Sequence, residues 1–88
     1  MSILESELTV SDIGTKIQYS LILYNSLHYY SDVIDQLQKA TGFDIIHCEQ
    51  IAMIAHTKGK AVVRSGEIDF LQKIESVLKE INLSTEIV

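Results

Sequence analysis

Five apolar residues, Ile68, Leu71, Ile74, Leu78 and Ile81, recur at spacings of three and four near the end of the 88-residue chain, with short β-branched or aliphatic segments on either side of them. A stripe of this period lays one side of a helix against another layer. The segment before it, Lys60 to Arg64 (KAVVR), reads as a strand, Ser65-Gly66-Glu67 as the turn, and Leu83 to Val88 as a last strand entered through a left-handed Asn82. Strand, helix and strand in this order form a crossover unit, so its two strands run parallel in one sheet. The sheet stays compact if another strand lies antiparallel between them.

That middle strand is Ile17 to Tyr24 (IQYSLILY), rich in the residues a buried pleated surface accepts. Asn25 to Tyr30 breaks the pattern, and Ser31-Asp32 offers an N-cap and a negative charge for a helix with Val33, Ile34, Leu37 and Ala40 inward and Gly42 as its end. Asp44 caps a second helix over residues 45–57, and Gly59, directly after Lys58, suits a left-handed C-terminal cap. Residues 1–15 show no sustained period and read as a loosely docked arm, with the folded domain over 16–88. The expectation is an α+β two-layer sandwich in the order β-α-α-β-α-β, its three-stranded sheet covered by three helices on one face.

Composition narrows the function classes. Seven Lys and Arg against twelve Asp and Glu give a net charge of −5. That balance repels phosphate backbones and anionic lipid, so no nucleic acid and no membrane is expected as partner. One cysteine, Cys48, builds neither a disulfide framework nor a multi-cysteine zinc site and suits a reducing, cytoplasmic setting. No basic leader followed by an apolar segment opens the chain, and no stretch approaches the roughly 20 apolar residues of a membrane span. A chain this short also has a thin core, which favours shallow pockets over an enclosed active site. A monomer is expected.

Phosphate-cradling and hydrolytic signatures such as G-x-G-x-x-G, the Walker loop, G-x-S-x-G and H-E-x-x-H are absent. His47 and His56 project to opposite sides of their helix and His28 stands apart, so no metal site and no cofactor is expected. Cys48 lacks an oriented base and reads as a small core residue rather than a nucleophile. On a helical wheel His47, Cys48, Ile51 and Ala55 share one face, with Glu49, Ala52 and His56 at its edge. His56 beside the small Ala52 has two readings, a histidine lining a depression or one capping the helix C-terminus. The charges of the third helix read as a solvated face.

The segments LILYN (21–25), VIDQL (33–37) and CEQIAMIAHTKGKAVV (48–63) resemble the ClpS adaptor family, as does the stretch from Ser65 to the end of the chain. The most specific element is H-x-x-G-K-A at His56, Gly59, Lys60 and Ala61. The resemblance implies a non-enzymatic bacterial cytoplasmic adaptor that binds substrate proteins by a bulky hydrophobic N-terminal residue and delivers them to a Clp-type AAA+ unfoldase. It further implies that Asn25 and His56 engage the substrate α-amino group, with Ser26 beside them. Leu27, Tyr30, Val33, Ala52 and Ala55 fall at pocket-wall positions, and Glu67 and Lys73 near the unfoldase-facing surface.

The departures matter equally. The family's loop begins Asn-Asp-Asp or Asn-Asp-Glu, whereas this chain reads Asn25-Ser26-Leu27 in a loop one residue shorter. An α-amino group with a reference pKa of about 8 is mostly cationic at neutral pH, and burying it without an anion costs on the order of several kcal/mol. Asp32 and Glu49 are the candidate substitute acids. Ala52 and Ala55 replace larger family residues and widen the pocket, with Tyr30 placed to refill it. The alternative is a ClpS-like scaffold that has lost N-degron binding and acts as an interaction or regulatory module of the Clp machinery. The C-terminal domain of the ribosomal stalk protein shares this type of fold, so the fold by itself does not choose between adaptor and assembly module.

Overall fold

A computed structural model describes residues 17–88; the arm expected over 1–15 lies outside the described residues. The elements are β1 (Tyr19–Tyr24), α1 (Tyr30–Thr41), α2 (Ile45–Lys58), β2 (Lys60–Gly66), α3 (Ile68–Leu78) with a 3-10 turn over Lys79–Ile81, and β3 (Thr85–Ile87). β1 lies centrally in the order β2-β1-β3 and pairs antiparallel with both neighbours. Its neighbours therefore run parallel to each other, as a crossover through α3 requires.

Alternation along β1 sends Leu21 and Leu23 into the core, where they meet Ala61 and Val63 of β2. α2 and α3 pack on the sheet, and α1 packs on both of those helices. Val33, Ile34 and Leu37 of α1, Cys48 and Ile51 of α2, and Leu71, Ile74 and Leu78 of α3 complete one core cluster. The register shifts between Leu21 and Ile22. This bulge leaves Val63 buried while Arg64, opposite Leu21, sets its guanidinium over the rings of Phe43 and Phe70, 5.6 and 4.8 Å from their centroids.

Each helix end has an identifiable cause. Gly42 and Gly59 adopt left-handed conformations (φ 76° and 93°) that close α1 and α2, and Asn82 does so at φ 61° after the 3-10 turn. Asp44 Oδ1 accepts the His47 backbone N–H at 2.8 Å, satisfying an otherwise orphan donor of α2.

Several boundaries differ from the sequence expectation. α1 starts at Tyr30 rather than after a Ser31 cap, because the Tyr29 carbonyl accepts from both Asp32 and Val33 N–H and nucleates the helix one step earlier. Ser65 and Gly66 are not a turn: they pair with Ser20 and Tyr19 as the last rungs of β2. Ile17 precedes β1 and is 72% exposed. α3 stops at Leu78 because the left-handed Asn82 tightens the last turn. β3 spans three residues, although Val88 still exchanges two backbone hydrogen bonds with Ser20. His47 is exposed rather than on the core face, its ring stacked on Phe43 at a centroid distance of 4.1 Å.

Candidate functional site

The chain leaves β1 at Tyr24, and the next backbone N–H, that of Asn25, donates to the Gly59 carbonyl at 2.9 Å. Gly59 is the cap of α2, so this bond sets the loop after β1 against the last turn of the helix that carries His56. A small cavity of about 30 Å³ opens between them. Its polar residues include Asn25, Ser26 and His56, and its apolar wall includes Val33, Ala52 and Ala55. Tyr30 closes one side, its hydroxyl donating to the Glu49 carbonyl at 2.9 Å and thereby joining the start of α1 to α2.

The volume lies well below that of ordinary ligand pockets, so a side chain that enters has to widen it. The methyl groups of Ala52 and Ala55, both buried, leave this space open where longer side chains would fill it. Asn25 and His56 are exposed at the rim, in contact with water. Asn25 Oδ1 accepts the Ser26 N–H at 2.9 Å, and the Ser26 hydroxyl accepts the His28 N–H at 3.4 Å, a local turn that shapes the loop. Among the described residues no carboxylate lines the cavity.

The structure thus brings together Asn25, Ser26, Tyr30, Val33, Ala52, Ala55 and His56. Leu27 is fully exposed and borders a second, shallower depression with Asn82 and Ser84. Asp32 and Glu49 are exposed and do not line the cavity. Glu67, at the start of α3, and Lys73, midway along it, are exposed. That start follows Gly66, which pairs with Tyr19 at the end of β1 opposite Asn25.

Sequence reasoning missed Leu23, Tyr24 and His28, which also line the cavity. The signal for His28 was its position in the loop at the carboxyl end of the central strand, but an isolated histidine carries no spacing to read. Tyr24 donates its hydroxyl to Glu86 at 2.5 Å; that bond, then burial and the nearby negative charge, push the phenol above its ordinary pKa. Burial likewise pushes the Cys48 thiol up, and its Sγ lies 3.8 Å from the Phe43 carbonyl. A raised thiol inside the core is a packing group rather than a nucleophile. Among the described residues no three His, Cys, Asp or Glu side chains converge on a metal position, and no helix is long and apolar enough to cross a membrane.

The family model for the ATP-dependent Clp protease adaptor protein ClpS matches residues 15–84. The chain belongs to the ClpS family. It is therefore a Clp protease adaptor, in a family of adaptors rather than catalysts. Among solved structures, ClpS2 of Agrobacterium tumefaciens bound to L-phenylalaninamide superposes with a TM-score of 0.75 at 19% identity, covering 84% of this chain and 100% of that one. The shared ClpS architecture includes the three helices and the three-stranded antiparallel sheet. None of the curated proteins matches in sequence.

Proposed function

We propose that this adaptor binds the N-terminal residue of substrate proteins in the cavity beneath Asn25 and His56 and delivers them to a Clp-type AAA+ unfoldase in the bacterial cytoplasm. The observation that carries the reading is the meeting of an apolar, alanine-walled cavity with hydrogen-bonding groups at its rim. L-Phenylalaninamide, held by the structural relative, has the matching parts: an apolar side chain next to a free α-amino group.

In this reading the side chain enters between Val33, Ala52, Ala55 and Tyr30. The α-amino group stays at the rim, donating to Asn25 Oδ1 and to the His56 ring. Asn25 Oδ1 already accepts one N–H but has a second lone pair for the ligand. The missing acid is tolerable because Asn25 and His56 are exposed, so the ammonium keeps part of its hydration and avoids the full cost of a buried unpaired ion. Glu67 and Lys73 belong to the unfoldase-facing surface. Glu67 follows Gly66 at the end of β1 away from Asn25, which leaves room for substrate and unfoldase to bind together.

The test is fluorescence anisotropy with peptides that differ in their first residue, each with a free and an acetylated N-terminus. Free bulky N-termini are expected to bind saturably. Acetylation removes the charge and a donor, so it is expected to abolish binding, and His56→Ala to weaken it about ten-fold, as for one lost hydrogen bond to a charged group. Equal binding of free and acetylated peptides would overturn the reading. No binding by any peptide would leave a ClpS scaffold acting through its α3 surface.

A further inference from the structure

His28 reaches from the loop after β1 across to the 3-10 turn, where its Nε2 is hydrogen-bonded to the Ile81 carbonyl. A carbonyl can only accept, so this nitrogen carries the proton and, in the neutral ring, Nδ1 presents a lone pair. That Nδ1 is buried and is the single buried side-chain nitrogen or oxygen with no hydrogen-bond partner among the described residues. Buried polar groups are nearly always paired, and leaving one unpaired is costly. His28 is also one of the residues that line the cavity.

We infer that His28 is a specificity determinant of the pocket, favouring an N-terminal side chain that carries a hydrogen-bond donor, tyrosine over phenylalanine. The inference rests on the N-terminal reading above and deepens it. The acceptor is covered in the unbound chain and makes no hydrogen bond, so a donor that reaches it when an entering side chain widens the cavity gains one without breaking another. Its anchor to Ile81 holds the ring in place and fixes which nitrogen accepts. A phenylalanine ring entering the same wall would leave the lone pair as orphaned as before. A site with a polar group waiting for a substrate hydroxyl discriminates against the analogue that lacks it.

Two peptides identical except for Tyr or Phe at the first position, both with free N-termini, would be titrated into the full chain and into His28→Ala. The Tyr peptide is expected to bind the unaltered protein about ten-fold more tightly, and the ratio is expected to fall to about one in the variant. A ratio of affinities cancels any loss of folded protein, which a purely structural role of His28 would produce. A second readout needs no variant: with ¹⁵N-labelled histidine, the His28 Nδ1 resonance should move on adding the Tyr peptide and hardly at all with Phe. Equal affinities for the unaltered protein, or a Tyr preference that survives His28→Ala, would overturn the inference while N-terminal recognition stands. No binding of either peptide would overturn both.

Discussion

Helix α1 runs between two polar clusters of opposite character. On its α3 side, Gln36 is buried yet donates its amide to the Val77 carbonyl and to Glu80, and Lys39 Nζ meets the same Glu80 carboxylate at 2.7 Å. On its α2 side, Asn25, Ser26, His28 and His56 surround open space beside two alanines, and His28 Nδ1 finds no partner among the described residues. The first cluster spends its hydrogen-bonding capacity internally, as a joint between helices does. The second holds capacity in reserve next to a volume that no side chain fills, which is how a binding site differs from a structural one.

The contrast predicts that damage to the two clusters separates into stability and affinity. Gln36→Ala removes two hydrogen bonds at a buried position, so urea unfolding should show a loss of about 2 kcal/mol while the affinity for a free N-terminal peptide stays within about two-fold. Ala52→Leu should do the reverse. Its added carbons extend into the cavity, lowering peptide affinity about ten-fold, or about 1.4 kcal/mol, with stability changed by less than about 1 kcal/mol. Unchanged affinity in Ala52→Leu would remove the cavity from the binding site and break the contrast.

The smallest effect is on pH dependence. Hydrogen bonds from Lys39 and then Gln36 hold the Glu80 carboxyl below the ordinary carboxylate range, outweighing a slight upward push from burial. The unfolded chain therefore takes up this proton at higher pH than the folded chain does. The stabilisation is fully present above the unfolded pKa and is lost as pH falls through the lowered folded value. Glu80→Gln should lower the neutral region of a stability-against-pH profile slightly and leave its acid end unchanged, which flattens the acid limb; the effect is small because the pair is exposed. A steeper acid limb in the variant would contradict the joint.

Much of the frame was legible because local chemistry decided it. Gly42, Gly59 and Asn82 each occupy the left-handed region where a helix must stop, and Asp44 caps the helix that its position announces. The crossover order followed from the stripe of α3 together with the strand segments on either side of it. The Ser31 cap failed because a backbone carbonyl from Tyr29 was a competing acceptor that composition does not reveal. Strand ends failed because they depend on partners far away in sequence, such as Ser65 opposite Ser20. In the site, the H-x-x-G-K-A element located His56, and its likeness to a known family pointed to Asn25. His28 stayed invisible because its meaning lies in the Ile81 carbonyl across the fold and in the partner it lacks.

The bond from Asn25 N–H to the Gly59 carbonyl couples the rim of the candidate site to completion of folding. Asn25 follows the central strand and Gly59 precedes an edge strand, so the rim assembles only when that sheet edge closes. A nascent chain with β2 unpaired has no rim, and a molecule whose edge has frayed loses it before the core opens. Occupancy of the cavity should accordingly slow hydrogen exchange at the Asn25 amide and along β2. On the proposed reading, cargo held at this rim would be released when the sheet edge frays, ahead of the core.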